Sequence, residues 1–217
     1  MPASRESAPA ITSEDRPGVI ARVVDIVVDP RAAFRAIAER PTWFGTLMAV
    51  VVIRFASLFV FYQPETTPGK LVLGVVFQLT TIVPAVLVAG TFLWVASNAW
   101  LVRVRWPVAF SIALHIYAAH TIATIVVASI AGALLPATVD VDLREPPFVN
   151  LSSFGFGQSP VLTRLLGELD VRSAYAAALA ALGLKAARPS ANWKTIACAV
   201  ATCWAARVAA VAWAATR

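Results

Sequence analysis

Acidic residues are missing from every long apolar tract of this 217-residue chain. Charge of either sign is scarce: between Lys70 and Asp140 only Arg103 and Arg105 are charged. Charged residues make up 14% of the whole, where a soluble domain carries about 25%. That excludes an ordinary soluble domain. The lack of Asp and Glu in the tracts argues against a carboxylate proton relay and against a carboxylate-bound metal. Cysteine is almost as rare. Cys198 and Cys203 are five positions apart in one expected helix, about 140° around its axis. They cannot bridge each other and match no zinc spacing, so they read as inert buried thiols. A Gly-rich phosphate loop is absent. The polar N-terminal stretch MPASRESAPAITSEDRPG lacks the charged and apolar regions of a cleavable signal. No cofactor is expected.

What the chain has is hydrophobic length. Residues 71–102 and 107–134 each exceed the roughly 20 apolar residues that cross a bilayer. The first of them carries Pro84, where a kink is expected. Three further spans are expected at 43–62, 171–185 and 193–215. The fourth, 171–185, is short and Ala-rich, and a buried hairpin arm is its alternative reading. In the last, Trp193 and Trp213 are set at the separation of two aromatic belts. Ala197, Ala201, Ala205 and Ala209 make a small-residue stripe suited to close helix contact. Residues 135–170 form one long external loop. The expected fold class is therefore all-α: a polytopic membrane bundle of five transmembrane helices.

The N-terminal segment divides in two. Residues 1–17 read as a disordered cytoplasmic tail. Residues 18–41 read as two amphipathic helices. Ile20, Val23, Val24 and Val27 recur at i, i+3, i+4 and i+7. Asp29-Pro30 then restarts a helix, with Asp as N-cap and Pro at the first helical position. Phe34, Ile37 and Ala38 fall on one side of it, and Arg31, Arg35 and Glu39 on the other. Val23, Val27, Phe34 and Ile37 are the expected contacts with the membrane interface. A helical cap packed on the bundle is a compatible reading.

The formal charge is +6, with 15 Arg against 3 Lys. These residues lie in short loops between apolar spans, the pattern of the positive-inside rule rather than of a nucleic-acid binder. With the N-terminus inside, the inside segments hold eleven Lys and Arg and the outside segments five. The Arg-over-Lys and Ala/Val bias is that of GC-rich coding. Together these point to a bacterial inner (cytoplasmic) membrane.

Asp29-Pro30, Phe34, Ile37 and Glu39-Arg40-Pro41 run into the first span. Later come Leu165, Leu166 and Asp170, an Ala/Leu run ending in Leu182-Gly183-Leu184, and a last apolar helix. This order, over residues 20–215, resembles the YIP family, the Ypt/Rab-interacting-protein domain, in its bacterial branch. The resemblance implies a five-helix membrane domain with a cytosolic N-terminus. Eukaryotic members bind small GTPases in vesicle traffic. That role is not carried over, because their Asp-Leu-Tyr-Gly-Pro-type motif has no counterpart here. Bacterial members have no established activity to transfer. The third helix departs from the family, with His120 after Tyr117-Ala118-Ala119 where members often have Pro.

Ionisable groups inside membrane spans are functional candidates. Here they are Arg54, His115, His120 and, less centrally, Arg207. Backbone carbonyls, Asn98, Gln78 or a lipid phosphate are the partners open to Arg54. Structural hydrogen bonding between helices is the expected role of both histidines, with proton handling or ligand contact as the alternative. Ser111 and His115, at i and i+4, would be the pair to test for a nucleophile, but no carboxylate stands ready to orient them. The reading is a non-enzymatic membrane-organising scaffold or partner-binding subunit. Its partners would be the lipid bilayer and a membrane protein or a second copy. The alternative is a small transporter or channel subunit using Arg54, His115 and His120.

Overall fold

A computed structural model describes residues 19–61, 68–134 and 171–215. The tail at 1–17 and the loop at 135–170, with Leu165, Leu166 and Asp170, lie outside the described residues. Those described are all-helical. The helices are α1 (Val19–Val28), α2 (Pro30–Glu39), α3 (Trp43–Phe61), α4 (Pro68–Ala99), α5 (Trp106–Leu134), α6 (Val171–Ala187) and α7 (Trp193–Ala215).

Three of them are long and apolar enough to cross a membrane: α4 over Thr80–Ala99, α5 over Trp106–Val126 and α7 over Trp193–Ala214. Of the other two expected spans, α3 has 19 residues, and its described apolar stretch is Trp43–Phe55. The 17 residues of α6 reach about 26 Å, short of a hydrocarbon core of about 30 Å. Helix α4 continues through Pro84 as a single element of 32 residues.

The central helix is α5, with 56% of its apolar stretch buried. It feeds two cores. One joins Phe34 and Ile37 of α2 to Ile112 of α5, Leu184 of α6 and Ile196 of α7. The other joins Val23 of α1 and Val50 of α3 to Ile82 and Val86 of α4 and Leu114 of α5. Gly183 lets α6 approach α5 and α2. A Cβ there would meet Ile112 Cγ2 at 2.7 Å and Phe34 Cδ1 at 3.3 Å.

Helix α2 starts as its sequence dictates. The Asp29 carboxylate accepts from the Ala32 N–H at 3.1 Å, and Pro30 opens the helix. This satisfies one of the donors that a helix start leaves orphaned. Its apolar side faces protein: Ala33, Phe34 and Ile37 are buried. Each fully buried large side chain contributes about 1.5–3 kcal/mol. In α1 the buried pair is Val23 and Ile26, while Val24, Val27 and Val28 face outward. The face expected from Ile20, Val23, Val24 and Val27 is therefore split between bundle and surroundings.

The turn from α4 to α5 is built without glycine. The Val102 N–H donates to the Ser97 carbonyl at 2.8 Å and the Leu101 N–H to the Asn98 carbonyl at 3.0 Å. These are the paired bonds of a Schellman cap, whose αL position glycine usually fills. Here Leu101 takes it, at φ 61°, and Arg103 follows at φ 52°. A left-handed non-glycine residue costs about 1–2 kcal/mol. Beyond the cap the turn alternates. Val102 and Val104 are buried in the core, and Leu101, Arg103 and Arg105 are exposed.

Candidate functional site

Polar groups gather where α1, α3 and α5 meet. Arg22 of α1 donates from Nη1 to Thr42 Oγ1 at 2.8 Å, just ahead of α3. One turn on, Thr46 Oγ1 lies 2.8 Å from the Thr42 carbonyl and 2.9 Å from His115 Nε2 of α5. On its other edge, His115 Nδ1 lies 2.7 Å from the Ser111 carbonyl. Thr46 and His115 are both fully buried.

The protons in this line can be counted. A carbonyl only accepts, so Nδ1 carries a hydrogen and donates to Ser111. In a neutral ring Nε2 is then an acceptor, and the single hydroxyl proton of Thr46 must point at it. The Thr42 carbonyl gives up that proton. In a charged ring both nitrogens donate, and the hydroxyl swings back to Thr42. The bond that ties α3 to α5 persists in both states, but its polarity reverses.

This arrangement does not activate Ser111. The imidazole engages the serine's backbone carbonyl, while the buried Ser111 hydroxyl has no hydrogen-bond partner.

The remaining candidates lie elsewhere. Arg54 of α3 donates from Nη2 to Tyr117 Oη of α5 at 3.2 Å. Its guanidinium also sits 5.8 Å from the Tyr117 ring centroid, within cation–π range. Tyr117 was not among the partners expected from sequence; the signal was a hydroxyl-bearing ring on the facing apolar helix. Asn98 does not reach Arg54. Its Nδ2 donates to the Trp94 carbonyl at 2.8 Å and to the Val104 carbonyl at 3.1 Å, bracing the α4–α5 turn. The Gln78 side chain lies outside those described. His120 is half-buried, and its carbonyl accepts from Thr124 Oγ1 at 2.9 Å. Sharing α5, it stands about 140° around the axis from His115, so the two histidines do not share a site. Arg207 is exposed on α7.

Of the four expected interfacial contacts, Val23, Phe34 and Ile37 are inside the bundle, and only Val27, 55% exposed, faces outward. Among the described residues no group of three or more His, Cys, Asp and Glu could hold a metal ion.

The chain matches no known family model, no curated protein and no solved structure.

Proposed function

We propose that this is a five-span membrane protein of the YIP type, with its N-terminus in the cytoplasm of a bacterium. It acts without chemistry of its own, as a scaffold that holds a membrane-protein partner or a second copy. The supporting observation is α7. Only 11% of its apolar stretch is buried, against 56% for α5. Ala197, Ala201, Ala205 and Ala209 all lie on its exposed side. Small residues on a lipid-facing helix allow another helix to approach closely. The α3 and α6 helices cross as well in this reading, with Arg54 held inward by Tyr117.

The test is recovery of tagged, gently extracted protein with its native lipids. A stoichiometric partner or second copy is expected, and it is lost in Ala201→Leu/Ala205→Leu. A monomer recovered alone, unaffected by those changes, overturns the reading.

A second reading, a small transporter or channel subunit, is favoured by the buried line from Arg22 through Thr46 to His115. Arg22 Nε is buried there without a hydrogen-bond partner. Reconstituted vesicles that pass no protons or anions, with or without His115→Ala, would remove it.

A further inference from the structure

One end of the bundle gathers aromatic and basic side chains. Four of the seven tryptophans lie there: Trp43 opens α3, Trp100 follows α4, Trp106 opens α5 and Trp193 opens α7. All four are exposed. Between them stand Arg103 and Arg105 of the α4–α5 turn and Arg188 of the α6–α7 turn, also exposed. The two turns are joined, because Arg188 Nε donates to the Arg103 carbonyl at 3.1 Å. That bond leaves the Arg188 Nη groups for another acceptor.

Leu101 is the anomaly in this setting. Its backbone is left-handed, where glycine folds with less strain. Its side chain is 74% exposed, so it packs on little within the chain. The two cap hydrogen bonds offset the backbone strain, but the side chain itself gains little inside the chain. Leu101 thus presents a large apolar side chain between two tryptophans and beside three arginines.

We infer that the α4–α5 turn, with Arg188, is a docking surface for an anionic lipid headgroup. Arg103, Arg105 and Arg188 take the phosphate as forked donors. Leu101, Trp100 and Trp106 enter the adjoining acyl boundary. The turn is held in shape before any lipid arrives. Trp100 Nε1 donates to Thr202 Oγ1 at 2.9 Å. Trp106 stacks on Phe110 with centroids 5.0 Å apart. Asn98 bridges both sides of the turn. Pre-organisation of this kind lowers the cost of binding. The arginines supply charge complementarity to an anionic headgroup, and the apolar residues beside them favour a lipid over a water-soluble acidic chain.

The inference rests on the membrane reading. That reading has its own check: a chain that leaves membranes on alkaline extraction is not integral, whatever its lipid preference. The test of the docking surface uses the full chain in mild detergent, with phosphatidylglycerol or phosphatidylcholine doped into the micelles. Bound lipids are counted by native mass spectrometry. Phosphatidylglycerol is expected to be retained in preference, and Arg103→Gln/Arg105→Gln to lower its retention roughly tenfold. The Arg103 carbonyl survives that change, so the link to Arg188 persists. Arg31→Gln/Arg35→Gln removes the same charge from the exposed side of α2 and is expected to leave retention unchanged. Leu101→Gly is expected to raise the unfolding temperature while lowering retention of both lipids.

Equal retention of the two lipids overturns the inference. So does equal loss in the α2 variant, which would mean diffuse charge only. Displacement of the lipid by inorganic phosphate at matched concentration would assign the arginines to a free anion. Co-purification of an acidic protein segment that Arg103→Gln/Arg105→Gln releases would assign them to a protein partner.

Discussion

His115 and Thr46, 69 positions apart in sequence, meet at 2.9 Å between α5 and α3 with neither exposed. In the neutral ring the imidazole is held as the Nδ1–H tautomer by the Ser111 carbonyl, so Thr46 is the donor across the helix pair.

Replacing that donor isolates its contribution. Thr46→Val keeps the shape of the side chain but leaves Nε2 buried without a partner. We expect a loss of about 1–3 kcal/mol in unfolding free energy, measured by chemical denaturation in detergent. Thr46→Ser is expected to recover most of it. Nitrogen NMR of the His115 ring should show hydrogen on Nδ1 and a bare Nε2 in the neutral state. The opposite tautomer would refute the proton count.

Gly183 carries a packing prediction. Its absent Cβ is the space occupied by Ile112 Cγ2, 2.7 Å from where a Cβ would stand. Gly183→Ala should cost about 1–3 kcal/mol through overpacking, and it should cost less in a chain already carrying Ile112→Ala, which removes the atom it meets. Gly69 is the control, since nothing lies within 4 Å of its Cβ position. Gly69→Ala should leave the unfolding midpoint level or slightly raised. Equal losses at the two sites would show that the helix contact at Gly183 is looser than its geometry.

The Arg54–Tyr117 contact combines a hydrogen bond and a ring face. Tyr117→Phe removes the hydroxyl alone and should cost about 0.5–1.5 kcal/mol. Tyr117→Leu removes the ring as well and should cost more, by about 0.5–1 kcal/mol of cation–π attraction. Thermal unfolding of the two variants side by side separates these contributions. Indistinguishable variants would mean that the ring face adds nothing.

Much of the fold was legible in the residues. The long apolar tracts gave α4, α5 and α7, because bilayer thickness sets a length that few soluble helices need. Asp29-Pro30 gave the start of α2, because capping is a local affair. The split of α2 into Phe34 and Ile37 against Arg31 and Arg35 was also legible. What covers that apolar side was not: periodicity marks a face that avoids water and is silent on whether protein or lipid replaces it. The partners of Arg54 and His115 were hidden for another reason. Tyr117 and Thr46 lie 63 and 69 positions away, and no short-range pattern spans that distance. The cap at Leu101 escaped because the sequence signal for such a turn is glycine, and here a leucine bears the strain.

The packing of α2 on α6 sets an order on synthesis. Phe34 leaves the ribosome about 150 residues ahead of Gly183, the residue it packs against. At about 5–20 residues per second, that is a wait of roughly 7–30 s. During that interval the growing chain has no α6 to receive Phe34 and Ile37. The apolar side of α2 is thus covered late, only once the sixth helix has emerged.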